Sequence, residues 1–149
     1  MKLRVEEKKE SLPMVVSVKW IDGMRFAASD SQGHSIIMDT SKEHGGEGSG
    51  FSPMQLLLAA VGGCTGMDVV SILKKQRQKL TELEIQVSGE RVAEHPRVYG
   101  KVHVEYRLKG EELKEKAVQR AIQLSNDVYC SVGATIKKTA SLSHGYNIQ

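Results

Sequence analysis

The amino-terminal part of the chain alternates apolar and polar residues in a way that is typical of short β-strands. Val16, Val18 and Trp20 form one such run, and the apolar pattern resumes directly after Asp22-Gly23. An Asp-Gly pair between two alternating runs is a frequent hairpin turn, because both residues tolerate a positive φ. The sequence therefore predicts a β-hairpin around these two residues.

Two further strands extend this hairpin into an antiparallel meander. A turn at residues 31–33 separates the hairpin from a short strand at residues 35–38. Leu3 and Val5 suggest another strand before the hairpin. The opening third of the chain is thus expected to form antiparallel sheet.

A long apolar segment in the middle of the chain predicts a helix that begins at Pro53. Ser52 is a favourable N-cap, Pro53 suits the first helical position, and Gln55 completes a capping box. The helix is expected to run to about Gln76, and its first half is apolar on nearly every side, as in a helix that is buried all round. Polar residues interrupt the segment, which favours a core helix over a membrane span.

Glycines mark two places in this part of the chain. Residues 44–50 include four glycines, which predicts a flexible loop before the helix. Gly62, Gly63 and Gly66 lie inside the helix, where each costs about 1 kcal/mol relative to alanine. We expect this cost to be offset by the close approach of another backbone, or of a substrate, beside Cys64.

The second half of the chain adds a hairpin, two helices and a closing strand. The hairpin strands alternate in polarity, and the first helix carries its apolar residues on one face. The hairpin strands are predicted at residues 83–87 and 102–108, the two helices at 111–125 and 131–138, and the closing strand at 140–148. Cys130 lies at the entrance of the second, short helix. This order of elements indicates the α+β class, in a single domain over residues 1–149.

Composition narrows the class of protein. The 149 residues are 40% apolar and 26% charged, with two cysteines, which excludes a disordered chain and a disulfide-rich scaffold. The net charge of +3 arises from 21 basic and 18 acidic residues, and aromatic residues do not interleave with the basic ones, so no nucleic-acid partner is expected. The first ten residues lack the apolar run of a secretory signal, which predicts a cytoplasmic protein.

Cys64 and Cys130 each allow a structural and a reactive interpretation. A free cysteine is often a small buried hydrophobe, which is the structural alternative. The glycines around Cys64 leave space beside its sulfur, and Cys130 precedes a helix, where backbone N–H groups would lower the pKa of its thiol. In a reducing cytoplasm, a disulfide between them would be catalytic or transient rather than structural.

A thiol in the middle of a helix needs a nearby cation to stabilise its thiolate. Arg25, on the strand that leaves the hairpin turn, is the candidate for Cys64. Asp68 lies one helical turn after Cys64, where a carboxylate would oppose thiolate formation. We therefore expect Asp68 to point away from the sulfur or to pair with an arginine.

No metal or cofactor is expected. The five histidines are scattered, and none has the close spacing from a cysteine or another histidine that zinc sites prefer. The glycine-rich loop also lacks the Gly-Lys-Ser/Thr ending of a phosphate-binding loop.

Two segments resemble the osmotically inducible protein C (OsmC) and organic hydroperoxide resistance (Ohr) family. They are residues 52–64, SPMQLLLAAVGGC, and residues 129–132, YCSV. The resemblance extends over nearly the whole chain and includes the hairpin that leads to Arg25. It implies antiparallel sheets wrapped around a long central helix, and an intertwined homodimer with active sites at the subunit interface.

The resemblance also implies a thiol peroxidase. Cys64 would attack the O–O bond of an organic hydroperoxide and become a sulfenic acid, which Cys130 would resolve as an intramolecular disulfide. Arg25 would hold the thiolate and offset charge on the departing alkoxide. An external dithiol, such as a lipoyl-type reductant, would then reopen the disulfide.

One residue favours a second interpretation. Met54 stands where well-studied hydroperoxidases of the family carry a glutamate that pairs with the arginine. Glu47 and Asp68 are the candidates to replace that glutamate. The alternative is an OsmC-like small-ligand binding protein, or a redox-responsive dimer, with little peroxidase turnover.

Overall fold

The computed structural model describes residues 12–149, and these residues confirm the predicted α+β class. They form two three-stranded sheets, three α-helices, a 3₁₀ turn and a π-helical turn. The bounds are β1 Ser17–Asp22, β2 Arg25–Ser29, β3 Ser35–Met38, α1 Pro53–Lys75, β4 Lys79–Arg91, β5 Tyr99–Glu111, α2 Glu115–Leu124, α3 Ser131–Ile136 and β6 Ser141–Ile148. The chain divides into two compact units, Met1–Pro53 and Met54–Gln149, and the single domain stays a prediction.

The first unit confirms the predicted hairpin. β1 and β2 pair antiparallel, with Trp20 opposite Phe26, and β3 pairs antiparallel with β2. Gly23 in the turn has a φ of 47°, and its carbonyl accepts a hydrogen bond from Trp20 Nε1 at 2.9 Å. The strand predicted at Leu3 and Val5 lies outside the described residues.

One buried carboxylate organises the glycine-rich loop. Asp39 Oδ2 accepts hydrogen bonds from Ser49 N at 3.0 Å, from Ser49 Oγ at 2.7 Å and from Glu47 N at 3.2 Å. These hydrogen bonds, above all those from Ser49, lower the pKa of Asp39 to about 2. At Gly46 a Cβ would lie 2.1 Å from the carbonyl oxygen of Thr40. The loop is therefore tightly hydrogen-bonded rather than flexible as expected, and Gly46 allows its backbone to pass close to Thr40.

The second unit contains the predicted long hairpin, but its sheet is mixed rather than wholly antiparallel. β4 and β5 are 13 residues each and pair antiparallel, whereas β6 pairs parallel with β5. The parallel pairing arises because α2 and α3 carry the chain back to the end of the sheet where β5 starts. Pairing with β4 also extends β5 to Glu111, so α2 begins at Glu115 instead of residue 111.

The core of the second unit lies between one face of this sheet and the helices. Alternate residues of a strand point to the same side, so β5 supplies a row of buried side chains. The row consists of Val102, Val104, Tyr106 and Leu108. α2 adds Val118, Ala121 and Ile122 to the same core cluster.

α1 presents one face to this core, which corrects the expectation of a helix that is buried on all sides. Its buried residues are Val61, Thr65, Val69 and Leu73, a stripe with a spacing of four residues. Large apolar residues on its other faces remain accessible: Leu57 is 41% exposed, Met67 76% and Val70 44%. Within Met54–Gln149, α1 packs against one face of one sheet, and these apolar residues lie outside that contact.

Two of the three helix glycines allow β4 to approach α1 closely. A Cβ on Gly62 would lie 3.1 Å from Val87 Cγ2, and a Cβ on Gly66 would lie 3.0 Å from Ile85 Cδ1. A Cβ on Gly63 would meet no described atom within 4 Å. Two of the glycines thus face β4 closely, but their neighbours are strand side chains rather than the backbone or substrate that was expected.

By length and composition alone, α1 could also cross a membrane. Core helices of soluble proteins commonly share this property. The buried stripe of α1 packs against β5 of the same chain, which supports the predicted core helix.

We expect Asp39→Asn to destabilise the protein near neutral pH, because an amide cannot accept these hydrogen bonds as a carboxylate does. The folded pKa of about 2 lies below the unfolded value of about 3.9, so the wild-type advantage is present above about pH 4 and is lost as pH falls toward 2. Urea unfolding of both proteins at about pH 7 and about pH 3 measures the difference in their free energies of unfolding. Glu94→Gln, at an exposed loop carboxylate, is the matched control. A stability difference that is equal at both pH values would contradict this assignment.

Candidate active site

The structure brings the two cysteines together. Cys64 lies in the middle of α1 and is half-buried, and Cys130 directly precedes α3 and is buried. Their sulfur atoms and a carboxylate oxygen of Asp68 all lie within 4.8 Å of one another. Among residues 12–149, no other three His, Cys, Asp or Glu side chains come this close. The absence of a metal stays a prediction from the sequence.

A π-helical turn and a glycine set the position of Cys130. The turn, Ser125–Tyr129, follows α2, and Cys130 N donates a hydrogen bond to the carbonyl oxygen of Ser125 at 2.8 Å. Cys130 then caps α3, and its sulfur accepts a hydrogen bond from Gly133 N at 3.2 Å. A Cβ at residue 133 would lie 3.1 Å from this sulfur, so Gly133 leaves room for it. The predicted place of Cys130 at a helix entrance is confirmed.

The ionisation of Cys130 differs from the expectation. Burial raises the pKa of the Cys130 thiol to about 11, and the hydrogen bond with Cys64 and the charge of Asp68 act in the same direction. The hydrogen bond from Gly133 N opposes this rise. The prediction of a lowered pKa was wrong, because the loss of hydration outweighs one backbone donor. Cys130 is therefore a protonated thiol near neutral pH.

Asp68 faces the sulfur atoms, contrary to the expectation that it points away. Within Met54–Gln149, its hydrogen-bonding partner is a hydroxyl group and not an arginine: Asp68 Oδ2 lies 2.8 Å from Ser125 Oγ. Neither of the two predicted arrangements is found in this unit. A carboxyl group thus belongs to the thiol site itself.

Buried hydroxyl groups lead from Asp68 into the core. Ser125 Oγ lies 2.9 Å from Thr65 Oγ1, and Thr65 Oγ1 lies 2.6 Å from Tyr106 OH. All three side chains are almost completely buried. Ser125, Thr65 and Tyr106 form the hydroxyl chain, which joins α1, β5 and the π-helical turn.

A histidine and an amide end the hydroxyl chain. Tyr106 OH lies 3.1 Å from His144 Nδ1, and His144 Nε2 lies 2.9 Å from Asn126 Oδ1. Asn126 Nδ2 donates to Asp127 Oδ1 at 2.7 Å, and the backbone carbonyl oxygen of Asn126 accepts a hydrogen bond from Lys137 Nζ at 2.6 Å. Burial raises the pKa of Tyr106 to about 12, and burial followed by the charge of Lys137 lowers the pKa of His144. Both rings are therefore neutral near pH 7.

Sequence reasoning missed the hydroxyl chain. In the sequence, Thr65 only interrupts an apolar helix, and His144 fits the alternating pattern of an ordinary strand. One signal was available, since Thr65 occupies the same helix stripe as Val61 and Val69. A hydroxyl group on a core stripe indicates a buried hydrogen-bonding partner.

Arg25 lies in the first unit and pairs with Asp22. Arg25 Nε donates to Asp22 Oδ1 at 2.6 Å, and Nη2 pairs with Oδ2. This ion pair lowers the pKa of Asp22 and raises the pKa of Arg25. The negative charges of Asp39 and Glu47 raise the pKa of Arg25 further. The role of Arg25 as the partner of the thiolate stays a prediction.

Met54 lies at a separate cleft of the second unit. Its carbonyl oxygen accepts a hydrogen bond from Tyr99 OH at 2.8 Å. Met54, Leu57 and Tyr99 contribute to a largely apolar cleft of about 250 Å³ whose lining includes neither cysteine.

Comparisons with known proteins extend these observations. A family model described as OsmC-like protein matches residues 46–144. Protein YhfA of Escherichia coli K12 is 38% identical over 136 residues, which cover 91% of this chain and 98% of YhfA. A crystal structure of a protein from Aquifex aeolicus shares 32% identity at a TM-score of 0.82, with 93% of this chain and 98% of that chain covered.

A more distant structure shares the fold. It is an organic hydroperoxide resistance protein OsmC from Legionella pneumophila, with 16% identity, a TM-score of 0.69, and 93% of this chain and 99% of that chain covered. The segments that carry the resemblance in the sequence, residues 52–64 and 129–132, both lie inside the matched residues 46–144. The chain therefore belongs to the OsmC-like family.

Proposed function

We propose that the protein is a thiol-dependent peroxidase that reduces organic hydroperoxides with Cys64 and Cys130. The observation that carries this proposal is the approach of the two sulfur atoms to within 4.8 Å. Modest side-chain movement would bring them to the S–S bond length of about 2.05 Å. A structural neighbour of the family, the Legionella pneumophila protein, is named for organic hydroperoxide resistance.

The reaction has two steps and a reduction. The Cys64 thiolate attacks the hydroperoxide, the O–O bond breaks, Cys64 becomes a sulfenic acid, and the alkoxide takes up a proton and leaves as an alcohol. Cys130 then displaces hydroxide from that sulfur, a disulfide forms, and the hydroxide leaves as water. An external dithiol, for which a lipoyl-type reductant is suitable, reduces the disulfide and is itself oxidised.

Burial supports this division of roles between the cysteines. Cys64 is half-buried and lies beside Gly63, which leaves open space next to it. Cys130 is 5% exposed and its pKa is raised, so it remains a thiol until Cys64 has been oxidised. The accessible sulfur therefore attacks, and the buried one resolves.

We also propose a homodimer formed through the open face of α1. Leu57, Met67 and Val70 are exposed there in the single chain, and Gly63 allows close approach of a second surface. Burial of such apolar area against a second copy is favourable. A cytoplasmic location suits this protein, because reducing conditions keep both thiols free.

The cleft at Met54 favours a second candidate function. Its lining is largely apolar, and Met54 itself cannot form the ion pair that the family's glutamate makes with arginine. A protein with slow thiol chemistry and an occupied cleft would be a binder of small apolar ligands, or a redox-responsive dimer. Turnover with hydroperoxides separates these alternatives.

Reduced, oxygen-free protein treated with cumene hydroperoxide is expected to lose both of its thiols and to gain a Cys64–Cys130 disulfide. Thiol counting and peptide mass spectrometry measure the two changes. Cys64→Ser should abolish turnover, whereas Cys130→Ser should stop at a sulfenic acid that dimedone traps. Ser71→Ala, at an exposed position of the same helix, is the control. Oxidation no faster than that of free cysteine would reject the peroxidase.

Arg25→Ala should slow the oxidation of Cys64 by about 100-fold, because a guanidinium that stabilises the alkoxide acts mainly in the transition state. Stopped-flow oxidation of the reduced variant measures the rate constant. Lys19→Ala removes a positive charge from the neighbouring strand β1 and should have little effect. Equal rates in the two variants would show that another cation serves the thiolate.

Met67→Lys should convert the dimer into monomers, because a charge would be buried in the proposed interface. Sedimentation velocity over a range of protein concentrations measures the mass. Val92→Lys places the same charge at another exposed apolar residue, directly after β4, and should leave the dimer intact. A wild-type protein that sediments as a monomer would refute the interface.

A further inference from the structure

Three groups of the kinds that bind metal ions meet in the thiol site. The sulfur atoms of Cys64 and Cys130 and a carboxylate oxygen of Asp68 lie within 4.8 Å of one another. Thiolates are preferred ligands of soft cations such as Zn²⁺, and carboxylates are the usual oxygen ligands of the same ion. The sequence predicts no metal site because its test concerns residues that are close along the chain, whereas the fold brings Cys130 to the other two groups.

The distances suit a zinc ion. The centre of an equilateral triangle with sides of 4.8 Å lies about 2.8 Å from each corner, close to the zinc–sulfur bond of about 2.3 Å and the zinc–oxygen bond of about 2.0–2.2 Å. Side-chain movements of less than about 1 Å would therefore bring all three ligands to bonding distance. Cys64 and Asp68 are four residues apart on α1, a spacing that places both members of a ligand pair on one face of a helix.

Hydrogen bonds already hold two of the three ligands. Ser125 Oγ donates to Asp68 Oδ2 at 2.8 Å, and the same hydroxyl oxygen lies 2.9 Å from Thr65 Oγ1 in the buried hydroxyl chain. The Cys130 sulfur accepts a hydrogen bond from Gly133 N at 3.2 Å. A carboxylate has enough lone pairs to accept from a hydroxyl group and to bind an ion at the same time. Such outer partners orient metal ligands and strengthen binding.

We propose that the reduced thiol site binds one Zn²⁺ ion through Cys64, Cys130 and Asp68. Two sulfurs and one oxygen leave the fourth tetrahedral position to a water molecule. Space for it lies beside the half-buried Cys64, where a Cβ on Gly63 would meet no described atom within 4 Å. The ion also offsets the repulsion among three acidic groups at this distance, since it favours the ionised form of each ligand. Mg²⁺ and Ca²⁺, which take oxygen ligands, do not suit two sulfurs.

Bound zinc would protect the reduced site from oxidation. A thiolate that shares its electrons with the ion is a weaker nucleophile than a free thiolate, and Cys130 cannot reach an oxidised Cys64 while the ion holds it. A disulfide has no thiolate to offer, so oxidation releases the ion. This effect on turnover rests on the peroxidase function proposed above, whereas the binding of zinc does not depend on it.

The reaction of the zinc-bound site balances. When zinc binds, the two thiols lose their protons to solvent and both sulfurs bind as thiolates. The two thiolates, one hydroperoxide and two protons then give one disulfide, one alcohol, one water molecule and the free ion. The two sulfurs are oxidised and the peroxide oxygens are reduced, while zinc keeps its charge because it has no redox chemistry.

The first test measures binding without any turnover. Reduced, chelator-treated wild-type protein is titrated without oxygen, with Co²⁺ as a spectroscopic probe and with Zn²⁺ in competition with a colorimetric chelator. We expect one ion per chain, a sulfur-to-cobalt charge-transfer band, and a dissociation constant for zinc of about 1 μM or below. Absence of the band, or a dissociation constant above about 1 μM, overturns the site.

The second test identifies the ligands. Asp68→Asn should weaken zinc binding by at least about 10-fold and keep the charge-transfer band, whereas Cys130→Ser should reduce the band by about half. Glu94→Gln, at an exposed loop carboxylate, is the matched control. The disulfide form of wild-type protein should bind no ion, and this comparison needs no variant to fold. Equal affinities in Asp68→Asn and Glu94→Gln, or binding by the disulfide form, overturn the ligand set.

The third test concerns protection. Zinc-loaded protein should react with cumene hydroperoxide at least about 10-fold more slowly than metal-free protein, and a chelator should restore the rate. A zinc-sensitive dye should detect one ion for each disulfide that forms. Equal rates with and without zinc, or a disulfide that forms while zinc stays bound, overturn the protective role.

The two proposals fail in different ways. If metal-free protein does not reduce hydroperoxides but binds zinc through the three ligands, the peroxidase function fails and the metal site stands. If turnover is fast and the reduced protein binds no zinc, the peroxidase stands and the metal site is refuted.

Discussion

The buried hydroxyl group of Thr65 is the contact on which the thiol site depends. It lies on the face of α1 that packs against β5, where water cannot reach it, and an unpaired polar group there would cost about 1–3 kcal/mol. Tyr106 at 2.6 Å and Ser125 at 2.9 Å provide its partners. These two hydrogen bonds align α1, β5 and the π-helical turn, and this alignment brings Cys64, next to Thr65, toward Cys130.

The second constraint is electrostatic. Two thiols and a carboxyl group within 4.8 Å cannot all be ionised, because each negative charge raises the cost of the next. Cys130 shows the effect, since burial, the hydrogen bond with Cys64 and the charge of Asp68 all raise its pKa. The buried Cys130 therefore keeps its proton near neutral pH, beside the other two groups of the site.

Elements with a local signal could be predicted from the sequence. The turn at Gly23 and the helix start at Pro53 depend on backbone preferences that a few neighbouring residues express. The long hairpin and the closing strand follow from alternation in polarity, although their ends were set by pairing with other strands. Cysteines in two family-like segments also pointed to one site, and the structure places their sulfurs together.

Properties that depend on distant segments could not be predicted. The pKa of Cys130 is raised because the folded unit buries it, and no local pattern reports burial of that kind. Asp39 organises a loop through Ser49, ten positions later, so glycine content alone suggested flexibility. α1 is apolar on several sides, but the sequence does not say which surface covers each side.

The departure at Met54 and the position of Asp68 are connected. A methionine at residue 54 removes the carboxyl group that the family resemblance places there, and the structure puts the Met54 side chain at a separate apolar cleft. Asp68 supplies a carboxyl group from the same helix as Cys64, one turn further on, so its position relative to the sulfur is fixed by helix geometry. An ionised carboxyl group that close to a thiol disfavours its thiolate, and the charge of Asp68 has this effect on Cys130. The buried hydroxyl group of Ser125 donates a hydrogen bond to this carboxyl group at 2.8 Å, so Asp68 is held beside the two sulfur atoms by a partner other than arginine.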